Sequence, residues 1–192
     1  MKVFIIIFIT ISIVYSAVLP KLPASRKICP FPNGTDTNIH LFNCDSKMAL
    51  KIISGKILTK SGKEMYPVNP RQPIKIQLTA QNDGIQIDDN HVKVYIYEYT
   101  TNWLTGNCSW VEIPTFGLLS NIDGCDYAHN CPLKKGPLTL DLPLDLSSFS
   151  SIIELIAGKN PYQLVIKMYN YNKGDKQHEE FSCVSCQLRF SQ

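Results

Sequence analysis

The stretch Ile-Lys-Ile-Gln-Leu-Thr-Ala at residues 74–80 alternates apolar and polar side chains, and this alternation decides the fold class. The same period of two recurs in residues 92–97, 162–169 and 184–190. Such alternation places one face of a strand in the core and the other in solvent, whereas a helix repeats every 3.6 residues. Because turn-forming residues such as Asn82-Asp83-Gly84 separate the runs, we expect an all-β, antiparallel sandwich.

Two later segments refine this prediction. Residues 138–146 keep leucines on one parity, with Pro143 expected to end pairing or to mark an edge strand. Residues 147–158 instead place their apolar side chains at helical spacing, at positions 149, 152, 153 and 156, and Gly158 is a suitable C-terminal cap. We therefore expect a short helix or lid there.

The N-terminal residues are expected to lie outside the folded domain. Lys2 precedes an apolar run that ends at Val14, which is shorter than the roughly 20 residues of a membrane-spanning helix, and small residues follow it. Residues 1–16 are therefore predicted to be a signal peptide. Residues 17–43, with four prolines, are predicted to form an irregular leader, and residues 44–192 the sandwich domain.

The composition excludes several classes of protein. A chain of 192 residues with 44% hydrophobic side chains and a net charge of +3 is neither disordered nor a basic nucleic-acid-binding arm. One domain is the expected organisation at this length. We expect no nucleic-acid partner and a monomer.

The seven cysteines all follow the predicted cleavage site, so they enter an oxidising compartment and favour disulfides. An odd number leaves at least one thiol unpaired. Asn33 and Asn107 each begin an Asn-x-Ser/Thr sequence and are candidate glycosylation sites. The expected location is extracellular, or the lumen of a lysosome or vacuole.

A search for catalytic and metal-binding patterns finds little. The chain has no Gly-x-Ser-x-Gly, no His-Glu-x-x-His and no phosphate-binding glycine loop, and its four histidines have no spaced partners. A zinc site built from Cys125, Cys131, Cys183 and Cys186 is disfavoured by the spacing and by the oxidising compartment. We expect no enzyme activity, no cofactor and no metal.

Four cysteines stand in an order that resembles a known family. Cys44 is expected to precede the first strand, Cys125 and the Cys-Pro-Leu-Lys-Lys-Gly segment at 131–136 lead into another, and Cys183 opens the last. This set, over roughly residues 43–190, resembles the ML lipid-recognition family. The segment looks most similar to the fungal phosphatidylglycerol/phosphatidylinositol transfer proteins.

The resemblance implies a fold and two disulfides. It implies an immunoglobulin-like sandwich whose two sheets separate around a lipid tail, with bridges Cys44–Cys183 and Cys125–Cys131. Cys29, Cys108 and Cys186 remain, and one bridge among them has three forms. We expect Cys29–Cys186, with Cys186 as a buried free thiol as the alternative.

The resemblance also directs attention to the apolar positions of the strands, which would line a cavity or, alternatively, fill a closed core. The cavity candidates are Ile76, Leu78, Val94, Ile96, Leu140, Leu142, Leu164, Ile166, Leu188 and Phe190. The candidates for a rim that touches membranes are Trp103, Trp110, Phe149, Ile152 and Ile153.

These observations predict a secreted, non-enzymatic protein that binds lipid, contacts membranes transiently and transfers phospholipids such as phosphatidylglycerol and phosphatidylinositol. A sterol carrier or a glycolipid-presenting activator of the same family is the first alternative. An extracellular protein-interaction module without bound lipid is the second.

Overall fold

A computed structural model describes residues 28–156 and 158–191. The predicted signal peptide and residues 17–27 of the leader lie outside the described residues. The strands are β1 (His40–Asn43), β2 (Leu50–Thr59), β3 (Ile74–Asn82), β4 (Asn90–Thr101), β5 (Cys108–Ile113), β6 (Ile122–Asp123), β7 (Gly136–Leu144), β8 (Pro161–Asn170) and β9 (Glu180–Arg189). The helices are α1 (Gly124–Ala128) and α2 (Ser150–Leu155), with short 3-10 helices at Pro32–Gly34 and Ser147–Phe149.

The strands form two antiparallel sheets, so the prediction of an all-β sandwich is confirmed. The larger sheet has the order β1-β9-β8-β4-β5, with β6 also paired to β4, and the smaller sheet has the order β2-β3-β7. The alternating stretch at 74–80 lies in β3, the central strand of the smaller sheet. Pro143 lies in β7, an edge strand of that sheet, where proline is tolerated.

The two long sides of the sandwich are closed differently. On one side β2 contacts β1 and β9 directly, which brings the two sheets together. On the other side the helix α1 contacts both β4 and β7 and so lies between the sheets. The sheets are therefore held apart on the α1 side.

Helix α1 was not predicted from the sequence. Its N-terminal cap is Asp123, whose Oδ1 accepts a hydrogen bond from the backbone N–H of Asp126 at 2.9 Å. The Cys125–Cys131 disulfide closes the loop that contains it. The aspartate before Gly124 was the signal for this helix, because aspartate is a favoured N-cap.

The segment of residues 28–38, called here the strap, crosses the outer face of the larger sheet. Asn33 Nδ2 donates to Gln187 Oε1 at 2.6 Å, and the Phe31 ring lies under the Arg189 guanidinium. Thr35 is fully buried there. The end of the predicted irregular leader is regular, because residues 40–43 form β1 against β9.

The disulfides confirm two predictions and correct a third. Cys44–Cys183 and Cys125–Cys131 are present as the resemblance implied. The expected Cys29–Cys186 bridge is wrong, since Cys29 pairs with Cys108 and Cys186 is a buried free thiol. The strap runs over the outer face of the sheet, whereas Cys186 shares its parity with Leu188 on the inner face, so the two sulfurs lie on opposite sides of β9.

Three disulfides are consistent with an extracellular or lumenal protein. Among the described residues, no helix has the length and apolar character needed to cross a membrane.

Candidate functional site

An apolar cavity of about 280 Å³ lies between the two sheets. Its wall includes inward-facing residues of β2, β3 and β7 from the smaller sheet and of β4, β8 and β9 from the larger one. Residues 124–128 and 149–156, which include the two helices, also contribute to the wall, as do Ile39, Leu41, Val68, Leu119 and Ile122 from β1, β6 and the loops. A pocket of this size is near the lower end of the range that binds small molecules in proteins, roughly 300–1,000 Å³.

Nine of the ten predicted cavity residues lie in this wall. The exception is Leu140, which packs with Leu50, Ile87 and Leu133 in a second, filled cluster at the end of the sandwich. The residues in the wall are Ile76, Leu78, Val94, Ile96, Leu142, Leu164, Ile166, Leu188 and Phe190. The β-strand parity found in the sequence therefore identified the inner face of the sandwich.

Several wall residues remain partly accessible although they point inward on central strands. Val94 on β4 and Leu164 and Ile166 on β8 are only half-buried, whereas Leu50 and Leu133 in the filled cluster are fully buried. A close-packed interior leaves few voids larger than a water molecule. The space between the sheets is therefore hollow along these residues.

A helical lid covers one end of the cavity. Residues 147–156, called here the lid, contribute Phe149, Ile152, Ile153 and Ile156 to the cavity wall. The isoleucines are buried, and Ile152 and Ile156 pack in the core cluster that includes Leu188 and Phe190. The helical spacing in the sequence thus reflects a face that points into the cavity rather than outward to a membrane.

Tyr127 of α1 holds the lid in place. Its hydroxyl donates to the backbone oxygen of Asp145 at 2.8 Å and shares a hydrogen bond with Ser148 Oγ at 2.7 Å. Its ring contacts that of Phe149, with centroids 5.2 Å apart. We call these contacts the latch. Tyr127 itself lines the cavity. It was not among the predicted site residues, because helix α1 was not predicted and nothing in the local sequence indicates that this helix contacts the lid.

The two tryptophans proposed for the rim do not line the cavity. Trp103 lies in the β4–β5 turn and is 87% exposed, and Trp110 on β5 packs its ring against Tyr99. Phe116 and Leu118 are also largely exposed, and they adjoin Leu119, which does line the cavity. The exposed apolar pair beside the cavity is therefore in the loop after β5.

Cys186 presents a free thiol in the cavity wall. Burial raises the pKa of this thiol to about 12, because an apolar environment disfavours the thiolate. The thiol is therefore protonated and unreactive at neutral pH, since the thiolate is the nucleophile.

One polar group lies at the α1 end of the cavity. Asn130 lines the wall and accepts a hydrogen bond at 3.2 Å from the side-chain amide of Asn90. Asn90 also donates to Cys131 Sγ at 3.0 Å. Strand periodicity gave no signal for Asn130, because it follows a left-handed residue, His129, at the end of α1.

Outside the cavity, Asp89, His91 and Asp123 bring three potential metal ligands within 4.8 Å of one another. Local structure accounts for two of them. His91 Nδ1 hydrogen-bonds Asn121 Oδ1 at 2.7 Å, and Asp123 caps α1. We assign no metal to this group.

Both candidate glycosylation asparagines are exposed, at positions 33 and 107. Asn33 lies in the strap and Asn107 in the β4–β5 turn, and neither lines the cavity.

Comparisons with known proteins add little. No family model and no curated protein matches this chain. Among solved structures, the C-terminal domain of Wzt aligns with 81% of this chain and 79% of its own, at 13% sequence identity and a TM-score of 0.35. A likeness this weak carries no functional argument, so the resemblance to the ML family rests on the residues quoted above.

Proposed function

We propose that this protein binds a lipid in the cavity between its sheets and transfers it between membranes without catalysing a reaction. The hollow, almost wholly aliphatic space is the observation that carries the proposal. An apolar chain that enters it leaves water, which stabilises the complex by about 0.8 kcal/mol per buried methylene. The proposed location is outside the cell or in a lysosomal or vacuolar lumen.

The lid and the latch define the proposed entrance. The sheets are already apart on the α1 side, so displacement of residues 147–156 opens the cavity without breaking either sheet. The latch consists of the two hydrogen bonds of the Tyr127 hydroxyl, each worth roughly 1 kcal/mol, and the contact of its ring with Phe149. Opening also exposes the buried isoleucines of the lid, and a ligand that fills the cavity buries apolar surface in return.

Phe116 and Leu118 form the proposed membrane contact. Both are exposed, and both adjoin the cavity residue Leu119. Apolar and aromatic side chains favour the membrane interface. This contact replaces the one proposed from sequence at Ile152 and Ile153, whose side chains point inward.

The volume of the closed cavity limits its contents. An engineered cavity of about 150 Å³ takes one benzene, so about 280 Å³ accommodates one acyl chain or one compact ring body. Phospholipids such as phosphatidylglycerol and phosphatidylinositol, the ligands suggested by the ML resemblance, would require the lid to open for a second chain. A sterol or glycolipid ligand is the alternative within the family.

Transfer of fluorescent lipids between donor and acceptor vesicles tests the proposal. We expect transfer of at least one of a phospholipid, a sterol or a single-chain lipid, and loss of transfer in Phe116→Ser/Leu118→Ser with an unchanged melting temperature. Trp103→Ser is the matched control, because it removes an equally exposed aromatic side chain away from the cavity. If the protein neither binds nor transfers any of the three lipids, the extracellular protein-interaction module becomes the better interpretation.

A further inference from the structure

The strap places an aromatic ring beside a candidate glycosylation site. Asn33 begins an Asn-Gly-Thr sequence, and its Nδ2 donates to Gln187 Oε1 at 2.6 Å. The ring of Phe31 lies against Arg189, with the guanidinium carbon 5.6 Å from the ring centre. Gln187 and Arg189 are two positions apart on β9, which separates them by about 7 Å. The ring of Phe31 and the amide of Asn33 are therefore neighbours over the same face of β9.

A tight turn fixes the position of Asn33. Asn33 and Gly34 have left-handed backbone angles, with φ of 53° and 74°, and the Thr35 N–H donates to the backbone oxygen of Pro32 at 3.0 Å. An asparagine followed by glycine is the pair that a turn with two left-handed residues favours. The Thr35 backbone oxygen accepts a hydrogen bond from the hydroxyl of Tyr66, which attaches the turn to the sandwich. The Asn33 side chain is therefore held beside Phe31.

The amide of Asn33 is able to carry a sugar without losing its contact with β9. The amide nitrogen has two hydrogens, and N-glycosylation replaces one of them with the first N-acetylglucosamine. The other hydrogen remains to donate to Gln187. Asn33 is also exposed, as the attachment of a bulky glycan requires.

Phe31 offers an apolar surface to that first sugar. Arg189 lies over its ring, yet 38% of the residue remains exposed. The C–H groups on one face of a pyranose ring are apolar, so their contact with an aromatic ring removes both surfaces from water. The face of an aromatic ring is also electronegative and attracts the slightly positive hydrogens of those groups. Phe31 is therefore suited to pack against a sugar attached two residues away.

We propose that Asn33 carries an N-linked glycan whose first N-acetylglucosamine packs on Phe31 and holds the strap against the outer face of the larger sheet. The sugar covers an apolar side chain that the described residues leave exposed. This inference goes beyond the proposed function, because it concerns the outer face of the sandwich and involves no lipid. It shares with that function only the location reached through the secretory pathway.

The first test locates the glycan and measures its contact with the ring. The full chain is secreted from insect cells as the Asn107→Gln variant, so that Asn33 begins the remaining Asn-x-Ser/Thr sequence. Mass spectrometry of the glycopeptides is expected to show a glycan at Asn33. After an endoglycosidase has trimmed that glycan, we expect the proton resonances of the first sugar to lie upfield of their positions in the same glycoprotein unfolded in urea. The aromatic ring current at Phe31 produces this shift.

The second test measures what the contact contributes to stability. The glycoprotein is compared with the same chain produced in the bacterial periplasm, which forms disulfides but adds no such glycan. We expect the glycan to raise the melting temperature by about 2–4 °C, as one aromatic packing contact does in a chain of this length. In Phe31→Ala the two forms should melt at the same temperature. Phe116→Ala removes an exposed aromatic side chain outside the strap, so this control should keep the difference.

The proposal is overturned by an Asn33 without a glycan in the secreted protein, or by sugar resonances that do not move on folding. A gain in melting temperature that survives in Phe31→Ala also overturns it. The resonance measurement keeps Phe31, so a folding defect in Phe31→Ala does not prevent the test. The apolar dye N-phenyl-1-naphthylamine should bind equally with and without the glycan, so a failure of dye and lipid binding would refute the proposed function alone.

Discussion

Filling the cavity with a larger side chain separates a hollow sandwich from a packed one. Val94 lies on the central strand β4, points inward and remains half-buried because it faces the cavity. Replacing it with phenylalanine adds four carbon atoms to the space between the sheets. In a close-packed core such overpacking costs about 1–3 kcal/mol, whereas in a hollow one the added atoms find room.

The size of the expected effect follows from the cavity volume. At about 24 cal/mol per Å³, an unfilled space of about 280 Å³ leaves the fold roughly 7 kcal/mol less stable than the same fold with that space filled. Four buried carbons contribute at most about 3 kcal/mol at 0.8 kcal/mol each. We therefore expect Val94→Phe to leave the free energy of unfolding unchanged or to raise it by up to about 3 kcal/mol.

The assay is urea unfolding of the delipidated protein, combined with binding of N-phenyl-1-naphthylamine. Val94→Phe is expected to weaken dye binding at least tenfold, because it occupies the same space. The matched control is Ile87→Phe in the filled cluster, where we expect a loss of 1–3 kcal/mol and unchanged dye binding. The reasoning is refuted if Val94→Phe destabilises the protein as much as Ile87→Phe does and leaves dye binding intact.

Three further predictions concern the thiol, the latch and the strap. The pKa of the Cys186 thiol rises from its ordinary 9.0 to about 12 on folding. The stability that the buried neutral thiol contributes to the fold is therefore fully present below pH 9 and is lost as the pH rises towards 12. The loss of stability over this pH range is roughly 4 kcal/mol, so Cys186→Ala should make the free energy of unfolding in urea less dependent on pH between 9 and 12. The same pH dependence in the wild type and the variant would contradict the burial of the thiol. Tyr127→Phe removes the latch hydrogen bonds, so dye uptake in a stopped-flow experiment should accelerate severalfold, while the outward-facing Tyr97→Phe should not; unchanged uptake would exclude the lid as the entrance. Replacing Cys29 and Cys108 by serine opens a loop of 79 residues and should lower the free energy of unfolding by roughly 4 kcal/mol, with dye affinity unchanged. A loss of dye affinity in this variant would mean that the strap shapes the cavity.

The period of two in the sequence was sufficient to predict the strands and their inner faces. Ile76 and Val94, for example, alternate with polar neighbours, and each lies in the cavity wall. The same pattern does not state whether two inner faces touch or stand apart, because a hollow and a filled sandwich require the same alternation. The separation of the sheets depends on α1 and the lid, which are inserted between them on one side.

The partners of individual residues were harder to predict than the elements. The expected Cys29–Cys186 bridge was wrong because nothing in the sequence indicates over which face of β9 the strap runs. Trp103 and Trp110 were assigned to the rim because of their residue type, although Trp103 lies in the β4–β5 turn and Trp110 on β5, and neither lines the cavity. Tyr127 and Asn130 lie in a segment whose helix was not predicted, so their approach to the cavity depends on tertiary structure alone.

Native mass spectrometry of the mature protein, purified from a eukaryotic secretory host and then mixed with lipid vesicles, tests the central claim most directly. The account predicts one lipid molecule for each protein chain, retained with Trp103→Ser and lost in Val94→Phe. The claim would be contradicted if the measured mass were that of the protein alone, both before and after exposure to vesicles of phospholipid, sterol and single-chain lipid.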